Sequence, residues 1–233
     1  MIFPSYALSG AMKYWLALLL VVVAGNASAQ RLLAPGEVVI FVHKGMANTD
    51  FVEPLVCALS KVLRPPVRVS TIDLALTEDL LETPSQFSAR KIVARVALVT
   101  ADSTEQTMPF RYFLLDRDLK GPSGGRYSFI ESYHAPWNAG VLSVMRLAPA
   151  DKELGRDHIA DATQRRAYKL LMKSIGRMSG LRGDGCVLRQ SHSVEELDAK
   201  SSEFCSQDRE ALVAAAVLKE RPSESCSTVV AVR

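Results

Sequence analysis

Apolar residues in this chain come in short runs whose spacing changes from one segment to the next, and that spacing predicts most of the elements. Glu37 to Val42 (EVVIFV) is a nearly continuous β-branched run, which suits a strand buried on both faces. Asn48 or Thr49 can cap a helix running to about Leu63, with Phe51, Leu55, Leu59 and Val62 on one stripe. Pro65-Pro66 ends it, and Val67 to Ile72 reads as a second strand. Strand, helix and strand of these lengths form a βαβ unit and predict a parallel pair. Ser85 to Arg95 reads as a short helix leading into a strand over Val96 to Thr100.

After a polar loop at Asp102 to Thr107, three more strands are expected: Phe110 to Leu115, Tyr127 to Ser132 and Gly140 to Leu147. Between the first two lies Lys120-Gly121-Pro122-Ser123-Gly124-Gly125. This segment lacks the Lys-Ser/Thr of a phosphate-binding P-loop and precedes a strand rather than a helix, so it reads as a surface turn. The longest helix spans about Ile159 to Leu181. Ala167, Leu171, Ile175 and Met178 form its apolar stripe, and Arg166, Lys169, Lys173 and Arg177 form a basic one on another face. Gly180 and Gly183 end it. An Ala-rich helix follows over about Gln207 to Lys219, and Ser227 to Val232 reads as an extra strand or a tail. Strands fill the first two thirds and helices the last.

The first segment changes what this domain is for. Lys13, the apolar run Trp15 to Ala24 and the small residues Asn26-Ala27-Ser28-Ala29 follow the basic, apolar, small order of a secretory signal. The run is about half the roughly 20 residues that a spanning helix needs, so a signal cleaved after Ala29 is expected rather than an anchor. Met12-Lys13, directly before the run, offers an alternative start that makes a more ordinary signal. No cysteine follows the cleavage point, so a lipid anchor there is unsupported. Residues 1–29 are then the signal and residues 30–233 one exported domain, periplasmic or secreted, long enough for one good core. That domain holds all but one of the 28 basic residues and all 25 acidic ones. Such balance argues against nucleic acid as the main partner, and nothing after Ala29 is long and apolar enough to span a membrane.

Cys57, Cys186, Cys205 and Cys226 all lie in the exported part, where disulfides are permitted. Four cysteines allow three pairings, and spacing alone does not choose among them. Cys57, within Val56-Cys57-Ala58-Leu59, reads equally as a buried free thiol.

From Val141 onward the chain carries a more specific pattern. Val141-Leu142-Ser143-Val144-Met145-Arg146-Leu147 is followed by the long helix, then Cys186-Val187-Leu188, then Asp198 to Cys205 (DAKSSEFC). This order resembles the archaemetzincins, a family of metzincin-type zinc peptidases. There a strand ending in Ser-x-x-Arg-Leu precedes a helix bearing HExxHxxGxxH, and Cys-Val-Met and Asp-x-Lys…Phe-Cys segments come after it. The resemblance covers roughly residues 138–212; residues 37–119, the βαβ-containing part, agree in element order and in the Asp118-Leu119 pair. It implies a single α/β metzincin-like domain: a mixed, mostly parallel twisted sheet with packing helices and a long former active-site helix.

Metzincin chemistry needs two histidines one helical turn apart, a third after a glycine turn, and a glutamate that serves as base for zinc-bound water. With the pattern's glycines at Gly176 and Gly180, the first ligand position is Lys173, the base position Ser174, the second ligand Arg177 and the third Gly183. All four catalytic groups are absent. His43, His134, His158 and His192 lie outside the motif and form no pair at helical ligand spacing; His192, close by in sequence, reads as a solvated loop residue.

The family's structural zinc site, built from four cysteines, matches here only at Cys186 and Cys205. Asp184 stands near the first position and Asp208 occupies the last, a poor tetrahedral set. The resemblance leaves a disulfide, a residual metal or free thiols. The bridge would close a loop of about 20 residues and contribute about 3 kcal/mol. Leu188 replaces the Met-turn methionine at similar volume.

The expected function is that of a pseudo-protease without a cofactor, the family's zinc being lost, which binds a peptide or protein in the former substrate cleft. Lys173 and Arg177, standing where zinc sat, would receive a carboxylate or simply be solvated there. The alternative is an active zinc-dependent metallopeptidase with unrecognised ligands. A Ser174, His192 and Asp198 device has no nucleophile elbow to frame its serine. Arg182-Gly183-Asp184 spells an adhesion tripeptide of a kind that occurs by chance. Tyr133, His134 and Trp137 would line the cleft rim or anchor a loop.

Overall fold

The structure is a computed structural model that describes residues 32–101, 109–121, 131–134, 138–149, 155–226 and 231–232. The expected signal segment, the polar loop after Asp102, most of the Lys120–Gly125 turn, Trp137 and the first part of the Tyr127–Ser132 strand lie outside those residues.

Strand β1 (Val38–His43) leads through helix α1 (Val52–Val62) to β2 (Val67–Ile72), and the two strands pair in parallel from Val38 opposite Val67 to His43 opposite Ile72. The βαβ reading holds. Two short strands, β3 (Leu81–Thr83) and β4 (Gln86–Ser88), precede α2 (Ala89–Val99). Then come β5 (Phe110–Leu115), β6 (Leu119–Lys120), β7 (Glu131–His134) and β8 (Ala139–Ser143). The long helix α3 spans Arg156–Ser179, with α4 (Val194–Ala199), α5 (Ser206–Ala214) and β9 (Ala231–Val232) after it. The main sheet has the order β7-β8-β5-β1-β2-β9, parallel throughout except for β7 against β8. A small sheet of β3, β4 and β6 stands apart.

Strands β1, β5 and β8 are almost wholly buried, which is why β1 and β5 read as continuous apolar runs. Ile40, Tyr112, Leu114 and Leu142 pack into a core with α1 and α3. Phe113, Leu115, Ala139 and Val141 face the other way, onto Ile92, Val93 and Val96 of α2. Each fully buried side chain of this size contributes about 2 kcal/mol over an exposed one.

Several expectations fail locally. Val96 to Val99 is helix, because Ala89, Ile92, Val93 and Val96 recur at helical spacing on a face the sheet buries, and that burial outweighs β-branched propensity. Helix α1 starts at Val52 rather than at an Asn48 or Thr49 cap; the Asn48 side-chain oxygen accepts from the Asp50 N–H in the preceding turn (3.1 Å). Strand β8 stops at Ser143, short of Leu147: the Ser143 hydroxyl donates to the Arg117 carbonyl (2.7 Å), and the Leu147 N–H closes a turn on Val144 (3.0 Å).

The C-terminal helix is also shorter than expected, since Ala216 takes a left-handed backbone (φ 61°) and lets the buried Val217 and Leu218 turn back to α1. Cys57 is not a free thiol. It is bonded to Cys226, 169 residues on, which ties α1 to the C-terminal segment. Ala231 and Val232 do form the extra strand, pairing with Val69 and Ser70 at the sheet edge. No helix among the described residues is long and apolar enough to cross a membrane.

Candidate functional site: the basic face of the long helix

The site is built on the C-terminal half of α3, where the apolar stripe fixes the rotation of the helix. Ala167, Leu171 and Ile175 are completely buried and Met178 nearly so, which turns Lys173 and Arg177 toward the segment that follows the helix. Gly180 ends α3 in a left-handed conformation (φ 109°). Its N–H donates to the Arg177 carbonyl (3.0 Å) and the Leu181 N–H to that of Gly176 (2.9 Å), the paired bonds of a Schellman stop. Gly183, also expected to end the helix, lies beyond the stop in an exposed loop.

After this stop the chain folds back along α3 as a 3-10 turn over Cys186–Leu188, and two close approaches hold it there. A side chain on Gly176 would place its Cβ 2.6 Å from Phe204 Cε1 and 3.0 Å from Leu188 Cδ2, so glycine lets Phe204 and Leu188 sit directly on the helix backbone. Leu188, in the Met-turn position, is fully buried there. Cys186 and Cys205 are joined in a disulfide with Cα atoms 5.4 Å apart, of the three states left open by the sequence. A Cβ on Gly185 would meet Cys205 Sγ at 2.9 Å.

The basic stripe faces this returning chain, and every member donates to it. Arg166 grips both Asp198 carboxylate oxygens (2.8 and 2.7 Å) and the Leu147 carbonyl (2.6 Å). Lys169 donates to the carbonyls of Leu197 and Asp198 (2.9 and 2.7 Å). Lys173 donates to the Gln190 side-chain oxygen (2.9 Å), and the Gln190 N–H in turn donates to Asp184 (3.2 Å). Arg177 donates to the carbonyls of Leu181 and Leu188 (3.3 and 3.4 Å). The nearby Arg166 guanidinium holds the Asp198 carboxyl below the usual range, and burial draws the Lys169 ammonium down. A row of cations thus clamps carbonyls and one carboxylate along the return path.

The sequence motif residues divide between this clamp and the sheet end. Asp198 takes Arg166; Lys200, buried, donates to the Arg189 carbonyl (3.1 Å); Phe204 packs on Gly176; Cys205 bonds Cys186. Arg146, from the Ser-x-x-Arg-Leu pattern, forms a fork on Asp118 (2.9 and 2.5 Å), which also accepts from Gln86 (3.1 Å).

The donor set at the ligand positions does not fit zinc. A lysine ammonium and an arginine guanidinium have no lone pair to give, and Gly183 has no side chain. Ser174, at the base position, is fully buried. Cys186 and Cys205 are spent on each other, and the Asp184 carboxylate accepts from the Gln190 N–H. Among the described residues no group of three or more His, Cys, Asp or Glu side chains is placed to hold a metal ion.

The remaining candidates are scattered. His43 is buried at the end of β1, with Nε2 3.2 Å from the Leu74 carbonyl and its ring edge-on to Phe113. His158 and His192 are exposed, the latter ahead of α4, whose cap Ser193 accepts from the Glu196 N–H (3.1 Å). Ser174, His192 and Asp198 make no catalytic device: the serine is buried, the histidine exposed and the carboxylate held by Arg166. Arg182, Gly183 and Asp184 are exposed. Tyr133 and His134 lie on β7, with side chains outside the described residues.

No family profile matches the chain. An archaemetzincin from Archaeoglobus fulgidus is 40% identical over 67 residues, a stretch covering 28% of this chain and 37% of that protein's length. Among solved structures, a zinc-dependent peptidase from Methanocorpusculum labreanum superposes with a TM-score of 0.61 at 18% identity, covering 75% of this chain and 99% of its own. Archaemetzincins from Methanopyrus kandleri (TM-score 0.59, 22% identity, 77% and 96% covered) and A. fulgidus (0.56, 22%, 74% and 99%) superpose similarly. The chain therefore has the archaemetzincin fold and is homologous to an archaemetzincin over a partial stretch of its length.

Proposed function

We propose that this protein is an exported, non-catalytic relative of the zinc peptidases, a pseudo-protease that holds an extended peptide or protein segment in the former substrate cleft. One observation carries the reading. Lys173 and Arg177, at the first two ligand positions, are turned to Gln190 and to the carbonyls of Leu181 and Leu188, so the groups that replaced the ligands serve the scaffold instead of a metal. The base position holds no carboxylate either, since Ser174 stands there and is buried.

Peptide binding draws on the edge of the main sheet. Strand β7 has a hydrogen-bonded neighbour, β8, on one side only among the described residues, which leaves an edge that an extended segment can extend by main-chain pairing. Such pairing needs no metal. A carboxylate on the bound segment would have to draw Lys173 away from Gln190 and Arg177 away from its two carbonyls, so it adds less than the main-chain bonds. Two disulfides support residence in an oxidising compartment outside the cytosol.

Titrating an extended peptide and following the backbone amides of Glu131 to His134 tests the binding mode. The expected result is protection of β7 amides and loss of binding when alternate peptide nitrogens are methylated. Binding that leaves β7 unaffected would overturn it. Unchanged affinity of an acidic peptide in the K173A/R177A variant would remove any carboxylate role for that pair.

A further inference from the structure

A pocket of about 270 Å³ opens where the last turn of α1, the middle of α3, the Ser202–Phe204 segment and the chain from Leu218 meet. Its walls are chemically divided. Met172, Phe204 and Leu218 are nearly buried apolar groups that supply a greasy floor, while Tyr168 and Glu203 stand beside them.

The polar groups are also divided by whether the fold already uses them. Arg209 donates to the carbonyls of Lys219 and Glu220 (3.4 and 2.5 Å). Lys219 donates to the Ser60 carbonyl and the Ser223 hydroxyl (2.7 and 2.8 Å). Both cations in the wall are therefore turned to protein oxygens. Glu203 uses its backbone carbonyl to accept from the Val187 N–H (2.9 Å), but among the described residues its carboxylate has no cation or donor, and the Tyr168 hydroxyl has no partner either. What the pocket leaves open is a pair of acceptors above an apolar floor. Burial, and secondarily the charge of Glu203, push the Tyr168 phenol up to about 12, so it stays neutral beside the carboxylate.

We propose that this pocket is a binding site for a primary ammonium carried on a short aliphatic stem, with the charge at Glu203 and Tyr168 and the stem against Met172, Phe204 and Leu218. A cation gives the unpaired carboxylate its counter-ion, with the neutral Tyr168 hydroxyl as a second acceptor beside it. An anion would meet Glu203 and would have to recruit Arg209 and Lys219 from their carbonyls. The volume sits at the low end of ligand pockets and suits a stem of a few carbons rather than a drug-sized molecule. This site is independent of the reading of the cleft.

Calorimetric titration of the whole disulfide-bonded protein with pentylammonium and with pentanoate, equal in length and opposite in charge, tests the assignment. Pentylammonium is expected to bind at least tenfold more tightly, E203Q to weaken it about tenfold, and E203K to reverse the preference, with thermal unfolding showing that each variant folds. Equal or tighter binding of pentanoate, or unchanged binding in E203Q, would overturn the proposal. An arm with Nα-acetyl-lysine amide assigns the source: binding as tight as pentylammonium points to a lysine side chain of a partner, and binding of the free amine alone points to a small-molecule amine.

Discussion

Arg177, at the second ligand position of the resembled motif, donates from its guanidinium to the main-chain carbonyl of Leu188, the residue in the Met-turn position. In the resembled pattern the first of these positions carries a metal ligand; here a hydrogen bond joins the two. Replacing Arg177 by Ala leaves the carbonyls of Leu181 and Leu188 without this donor, and each such half-buried bond contributes about 1 kcal/mol. The expected outcome is a loss of about 1–2 kcal/mol and faster amide exchange confined to Val187 to Gln190, read by hydrogen exchange. Uniformly unchanged exchange would remove the clamp role.

Gly176 presents a sharper case. Alanine there gains about 1 kcal/mol of helix propensity. Its Cβ, however, would fall 2.6 Å from the Phe204 ring, and overpacking of this kind costs about 1–3 kcal/mol. The ring is packed against backbone and cannot swing away freely, so sterics wins and G176A is expected to unfold at lower denaturant. F204L should recover part of the loss in a double-mutant cycle; strictly additive effects would contradict the contact.

Acid sensitivity follows from Asp198. Its folded carboxyl is held below its unfolded value, chiefly by the Arg166 hydrogen bonds, so the pair stabilises the fold above the unfolded carboxylate range of about 4 and that stability fades as pH falls through the folded value. With Asp198 half exposed, the contribution at neutral pH is about 1 kcal/mol. D198N is expected to be less stable than the wild type at pH 7 and to converge with it in strong acid, measured by urea unfolding across pH. A constant gap at all pH values would refute the assignment.

The two disulfides should differ in weight. Chain-entropy estimates give about 3 kcal/mol for Cys186–Cys205, partners with a sequence separation of 19, and about 5 kcal/mol for Cys57–Cys226, with a separation of 169. C57S/C226S is therefore expected to lose more stability than C186S/C205S. The second pair should instead loosen the turn beside α3, seen as exchange at Val187 and Leu188. The reverse order of stabilities would contradict this ranking.

Much of this architecture is legible in the sequence because burial on both faces leaves an unmistakable apolar run, as at Val38–His43 and Phe110–Leu115. The α3 stripe is legible for the same reason. Val96 to Val99 misleads because β-branched residues carry strand propensity, and only the facing Phe113 and Val141 decide that they continue a helix. The bridge from Cys57 to Cys226 joins positions 169 apart, a pairing that spacing does not encode. The site is half readable: the basic stripe shows in the sequence, whereas its partners are mostly main-chain carbonyls, which every residue owns and no motif marks. Asp198, the one side-chain carboxylate of that clamp, did stand in a recognisable segment.

The pseudo-protease proposal holds that the long helix carries a cationic clamp where a metal site would need ligands. Elemental analysis of the protein purified from zinc-replete medium, with a peptidase assay on the same sample, tests it most directly. Less than stoichiometric zinc and no peptide hydrolysis are expected; one tightly held zinc per chain, with hydrolysis that a chelator abolishes, would contradict the proposal.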